Sequence, residues 1–186
     1  MPEGHLTHLT RKMASNQVIT QEVLNRTEYF FRVPFENQQI LPTLLPLIAG
    51  AVIMELYFGK HKQEALGWNT SVGNAALWMT TGVSLLLSES SLTQPELYAV
   101  YGLIGLGAVV TFLDFFHIWS STVAFVVSSS AMVYTLAYTL VVTIKSGFPA
   151  DQVTLKAAAL FFVSVNLIFK IIQGFETDED SSMDFS

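Results

Sequence analysis

Five long stretches of this chain contain no Asp, Glu, Lys or Arg, and this feature limits its possible folds more than any other. The stretches cover residues 37–54, 65–88, 97–113, 115–144 and 157–169. A helix needs about 20 mostly apolar residues to cross the hydrocarbon core of a bilayer, which is roughly 30 Å thick. The second and fourth stretches reach that length unaided, and the others reach it when charges near an end are included. The pattern predicts an all-α integral membrane protein.

The composition supports a lipid environment for these helices. Only 13% of the 186 residues are charged and 51% are hydrophobic, whereas about a quarter of the residues of soluble domains are charged. No alternation with the period of a β-strand recurs along the chain, which argues against a membrane barrel. The chain has no cysteine, so disulfides and thiolate chemistry are excluded.

The two ends of the chain differ from its middle. Residues 1–36 predict a membrane-proximal amphipathic arm, because apolar residues near helical spacing are interrupted by charged ones. Ser15 or Asn16 would cap the helix of this arm, and Pro34 would end it. An ordinary amphipathic helix packed on the protein's own loops is an equal alternative. Residues 175–186 contain five acids and no base, and they predict an acidic disordered tail.

Residues 37–174 predict a bundle of about five transmembrane helices. The expected spans are residues 40–58, 70–88, 97–116, 121–144 and 154–173. The first of these segments carries Pro42 and Pro46 in its opening turns. Because a re-entrant segment is tolerated when protein surrounds it, four true spans and one re-entrant segment remain an alternative.

Charge placement bears on the orientation in the membrane. With five spans, the N-terminal side holds six Lys or Arg residues and the opposite side three, which favours an N-terminus inside the cell. Arg11 and Lys12 lie far from the first span. Without them the count of Lys and Arg is four on the N-terminal side and three on the other, which does not determine the orientation. The expected location is the cell membrane, and the acidic tail with modest lysine content suits a prokaryotic plasma membrane.

The strongly polar residues of the predicted spans fall in one layer near one membrane face. Helices one, three and five end on that side, and helices two and four begin there. The candidates for ion or proton handling are Glu55, Asn74, Asp114, His117, Asn166 and Lys170. An acid alone at bilayer depth costs a few kcal/mol, so Glu55 and Asp114 are expected to face the bundle interior.

Two pairings within this layer are predicted. Lys170 is the natural counter-ion for one of the acids, and an ion pair of Glu55 with Lys170 that only joins two helices is an alternative. Asp114 and His117 lie three residues apart, so on one helix they would share a face and form a proton-handling pair. Their contact with lipid headgroups and water is the plainer alternative. Glu55, Asp114 and His117 also offer three metal ligands, but nothing in their spacing requires a metal, and no metal or cofactor is predicted.

Two further groups of residues are candidates for binding. Ser128, Thr135 and Thr139 form a hydroxyl stripe that would line a polar path, although helix packing explains such a stripe better. At the corner between the first two spans, Lys60, His61, Lys62 and Trp68 are candidates for contact with lipid headgroups.

The expected function is the passage of an ion, proton or small solute through the polar layer, within an oligomer or a larger membrane complex. A structural or accessory subunit is the first alternative, and a membrane-embedded lipid-modifying enzyme is the second. No nucleotide-binding loop, dinucleotide fingerprint or nucleophile elbow is present. Nine basic residues in an acidic chain also argue against nucleic acid as a partner.

Overall fold

A computed structural model of the chain describes residues 20–60 and 67–175, and this part is helical throughout apart from short connections. Its seven helices are α1 Gln21–Glu36, α2 Leu41–Lys60, α3 Trp68–Ser88, α4 Gln94–Phe115, α5 Ser121–Val127, α6 Ser130–Lys145 and α7 Gln152–Phe175. The proposed cap residues Ser15 and Asn16, the loop residues His61 and Lys62, and the acidic tail beyond Phe175 lie outside the described residues.

Three segments of the described chain are long and apolar enough to cross a membrane. They are Gln94–Phe115, the stretch Ser121–Lys145 that contains α5 and α6, and Gln152–Gly174, and they coincide with the last three predicted spans. Helices α1 and α2 together make a fourth candidate, although the two are bent by 105°. The second predicted span forms α3 but is not among these candidates, because its first two turns carry several Asn, Ser and Thr residues.

The helices run up and down, so that polar residues collect at two ends of the bundle. At one end, here called the upper end, α2, α4 and α7 finish while α3 and α5 begin. At the opposite, lower end, α3 and α6 finish while α1, α4 and α7 begin. Ion pairs mark the lower end: Lys145 lies 2.5 Å from Glu89, and Arg26 lies 2.9 Å from Asp151.

Helix α1 packs along the bundle instead of standing apart from it. Its side chains Val23, Phe30 and Val33 are buried, and the ring of Phe30 stacks on that of Phe161 in α7 at 5.2 Å between centroids. The predicted amphipathic pattern is present, because charged residues lie on the exposed face. Helix α1 packs on helices α6 and α7, and not on loops of the protein as the alternative prediction has it.

Pro34 does not end α1, and the prediction that it would was wrong. The helix continues to Glu36, although proline has no N–H to donate to the carbonyl four residues earlier. That carbonyl belongs to Phe30, and it accepts instead from the Tyr138 hydroxyl at 2.7 Å. A tyrosine of α6 therefore supplies the donor that the proline lacks, and the buried backbone group keeps a partner.

We expect Tyr138→Phe to lower the free energy of unfolding in detergent micelles by about 1–3 kcal/mol, because it leaves the buried Phe30 carbonyl unpaired. In a Pro34→Ala background the same substitution should cost much less, since an alanine N–H at position 34 can bond that carbonyl. Equilibrium unfolding of the four proteins measures this coupling. Equal penalties in both backgrounds would contradict the proposed role of Tyr138.

Candidate functional site

The candidate span Ser121–Lys145 is broken at three consecutive serines. Helix α5 ends at Val127 and α6 begins at Ser130, with Ser128 and Ser129 between them in non-helical conformation. Serine hydroxyls compete with the backbone for hydrogen bonds, which favours such an interruption. The break leaves carbonyls at the end of α5 and N–H groups at the start of α6 without partners in their own helices.

Side chains of two other helices bind the two sides of the break. The Asn74 side-chain nitrogen in α3 donates to the Ser128 carbonyl at 2.8 Å. Glu55 in α2 accepts from the Ser130 hydroxyl through Oε1 at 2.5 Å, at the first turn of α6. A carboxylate is favoured there, because the first turn of a helix carries partial positive charge.

Glu55 is also joined to the end of α7. Its Oε2 accepts from the Gln173 side-chain nitrogen at 2.6 Å, and the residue is only 3% exposed. The inward stripe of α7 runs in steps of four residues from Ala157 and Phe161 to Gln173, so Lys170 lies on the exposed face. The predicted Glu55–Lys170 ion pair is not formed within the described residues, and Gln173 takes the place that the sequence assigned to Lys170.

Asp114, at the end of α4, is fully buried and has three donors. Its Oδ2 accepts from the hydroxyls of Ser71 at 2.5 Å and Ser128 at 2.7 Å. Its Oδ1 accepts from the indole N–H of Trp119 at 2.6 Å. Asp114 thereby ties α3, the helix break and the connection after α4 to one carboxyl group.

His117 does not share a helical face with Asp114, so that part of the prediction was wrong. Helix α4 ends at Phe115, and His117 adopts a left-handed backbone conformation with φ of 52°. Its exposed ring stacks on Trp68 at 4.1 Å between centroids. Within residues 20–60 and 67–175, no three His, Cys, Asp or Glu residues are grouped as metal ligands.

The remaining predicted residues lie apart from the two carboxyl groups. Asn166 donates to the Phe162 carbonyl of its own helix at 2.8 Å. In the predicted hydroxyl stripe, Ser128 belongs to the break, whereas Thr139 donates to the Thr135 carbonyl at 2.7 Å. Trp68 is half-buried at the start of α3. Lys60 ends α2, and its side chain is not among those described.

Four residues that contact the carboxyl groups were missed by reasoning from the sequence. They are Ser71, Trp119, Ser130 and Gln173. A signal existed for Ser71, which precedes Asn74 by one helical turn on the same face. The sequence predicts Ser128–Ser130 within one continuous helix. The rotation of α7, which brings Gln173 to Glu55, depends on tertiary packing.

The two ends of the bundle differ in the partners of their acids. At the lower end, the pKa of the Asp151 carboxyl lies below its usual range, chiefly because the Thr154 backbone N–H donates to it, with Arg26 as a further partner. At the upper end, the hydrogen-bond partners of Glu55 and Asp114 in the described residues are all uncharged. Both of these buried acids converge on Ser128–Ser130.

Comparison with known proteins adds no relative to this picture. The chain matches no family model, no curated protein and no solved structure.

We expect Asn74→Ala to lower the free energy of unfolding by about 1–3 kcal/mol, because it leaves the Ser128 carbonyl unpaired in the bundle interior. The matched control is Asn166→Ala, whose amide bonds its own helix and whose loss should change stability by no more than about 0.5 kcal/mol. Unfolding in detergent, followed by circular dichroism, measures both. Equal effects of the two substitutions would show that Asn74 does not secure the break.

Proposed function

We propose that the protein is an integral membrane protein that binds protons at Glu55 and Asp114 around the broken helix and passes them across the bilayer. The chain would cross five times, with α1 and α2 as one bent crossing and α5 with α6 as one broken crossing. Support for the membrane setting comes from the outer faces of α4 and α7. Large apolar side chains there are exposed, among them Val109, Phe112, Leu155 and Val163, and lipid would cover them.

The observation that carries the proposal is that the two oxygens of each carboxyl group have different kinds of hydrogen-bond partner. One oxygen of each faces an N–H group, from Trp119 or from Gln173, which can only donate. The other oxygen of each faces serine hydroxyls, which can donate to a carboxylate or accept from a carboxylic acid. The arrangement therefore has a hydrogen-bond partner for every carboxyl oxygen in both protonation states.

The absence of a basic partner in the described part makes proton uptake chemically reasonable. A buried carboxylate without a cation costs several kcal/mol, so it is neutralised most cheaply by a proton or a small cation. Ser128 faces Asp114 and Ser130 faces Glu55, two positions apart on one segment. No hydrogen bond joins these two hydroxyls in the described residues, so a proton that passes between the two acids would need a water molecule between them as carrier.

Proton flux into liposomes tests this function. Purified protein in liposomes that contain a pH-sensitive dye is given a potassium diffusion potential, and the rate of internal pH change is recorded. We expect Glu55→Gln and Asp114→Asn each to reduce the flux to about a tenth or less, because each removes a proton-binding group. Glu28→Gln, which neutralises an acid exposed on α1, should leave the flux unchanged and serves as the control.

Two outcomes of the flux measurement would overturn the proposal. One is a wild-type flux no greater than that of protein-free liposomes. The other is full flux in both neutral variants while circular dichroism shows that they are folded.

A structural subunit is the second candidate, because the same contacts also join α2, α3, α4, α6 and α7 into one bundle. If the neutral variants lose stability or assembly while no protein carries protons, this architectural role replaces transport. The exposed apolar faces of α4 and α7 would then be surfaces for other subunits or for further copies of the chain. Sedimentation of the detergent-solubilised protein measures its oligomeric state.

The lower end of the bundle carries Arg26, Lys145 and Lys156, so we propose that it faces the cytoplasm. The chain has no cysteine, and one introduced thiol can therefore report the side of each end. We expect a membrane-impermeant maleimide to label Asn69→Cys in intact cells and Ser91→Cys only after permeabilisation. The reverse pattern would invert the orientation, and equal labelling of both in intact cells would contradict the crossing of α3.

A further inference from the structure

A second feature of the structure begins one helical turn from Glu55, because Ala51 and Phe169 precede Glu55 and Gln173 by four residues on their helices. Helices α1, α2, α6 and α7 line a partly open cavity of about 240 Å³. Its walls are apolar and aromatic, and they include Phe30, Phe31, Leu47, Tyr134, Phe161 and Phe169. An engineered apolar cavity of about 150 Å³ holds a benzene ring, so this volume suits one ring or two fused rings.

One wall residue of this cavity carries an unsatisfied polar group. Thr135 is 3% exposed, and its hydroxyl has no hydrogen-bond partner in the described part of the chain. By contrast, Thr27, Thr139 and Thr143 each donate to the carbonyl four residues earlier, at 2.7–2.8 Å. A buried hydroxyl left unpaired is costly, so a bound molecule that accepts from it would be stabilised.

The position of Thr135 limits the chemistry of that partner. It is the fifteenth of the 25 residues of Ser121–Lys145, near mid-depth if this segment crosses the bilayer as proposed above. Two rim residues of the cavity, Phe35 and Val52, are exposed at 86% and 44%, so the cavity opens towards the surrounding lipid. The ester carbonyls of phospholipids lie at the interface, outside the hydrocarbon core, and they do not reach this depth.

We propose that the cavity binds the ring of a hydrophobic carbonyl compound of the quinone class. Aromatic walls favour a planar ring in stacked or edge-to-face contact. The Thr135 hydroxyl oxygen is inaccessible as placed, and it would donate to a ring carbonyl oxygen after rotation about χ1, since threonine in a helix uses two rotamers. A hydrocarbon tail on the ring leaves the cavity between Phe35 and Val52 into the bilayer.

Binding of two probes to the full-length protein in detergent micelles tests the proposal. Menadione has ring carbonyls, and 2-methylnaphthalene has the same fused rings without oxygen. We expect saturable binding of menadione by equilibrium gel filtration and about ten-fold weaker binding to Thr135→Val, the loss of one hydrogen bond. The affinity for 2-methylnaphthalene should be unchanged in Thr135→Val, and Thr143→Val, the same substitution two turns away, should bind both probes like the wild type.

A second variant separates the cavity from the hydroxyl. Ala51→Phe places a ring in the cavity and should abolish binding of both probes, and circular dichroism checks that this variant keeps its helices. The proposal is overturned if the wild type binds no menadione saturably, or if Thr135→Val binds it equally well. Because the assay needs neither a bilayer nor proton flux, its result is independent of the outcome of the liposome experiment, although the depth argument rests on the proposed crossing.

Discussion

The interruption of a long apolar helix at Ser128–Ser130 is the constraint on which the rest of the bundle depends. In a bilayer, an unpaired backbone group costs several kcal/mol, so irregular backbone persists only where protein surrounds it. Asn74 supplies a donor for the Ser128 carbonyl, and Glu55 accepts from the first residue of α6. Helices α2 and α3 must therefore lie against the break, and Gln173 extends the same requirement to α7.

Helix α1 contains a second backbone group whose hydrogen-bond partner comes from another helix. Pro34 removes one helical hydrogen bond, and the Tyr138 hydroxyl restores a donor to the Phe30 carbonyl. In both places, a local departure from helical bonding is repaired by a side chain of another helix. Because each repair joins distant parts of the chain, these contacts set the positions of the helices more specifically than apolar packing does.

The positions of the helices were predictable from the charge-free stretches. Their alternating direction places Glu55, Asn74 and Asp114 at one end of the bundle, whereas Asn166 and Lys170 do not contact the two carboxyl groups. Details that depend on the rotation or ending of a helix were not predictable. Lys170 and Gln173 both lie in the last two turns of α7, and only packing decides that Gln173 faces Glu55. The sequence predicts His117 on the same helix as Asp114, because no glycine or proline near Phe115 indicates that the helix ends there. The serine triplet was compatible with a continuous helix, so the break itself was missed.

The acidic residues at the two ends of the bundle have different kinds of partner, and this difference bears on the proposed function. At the lower end, Asp151 and Glu89 have Arg26 and Lys145 as partners, and their negative charge is balanced within the protein. At the upper end, Glu55 and Asp114 are more deeply buried, yet their described partners are hydroxyl, amide and indole groups. A structural role alone would be served as well by buried amide side chains, which satisfy hydrogen bonds without a charge to neutralise. Under the proposed function, carboxyl groups suit this site better than amides, because a proton that binds and is released balances their charge.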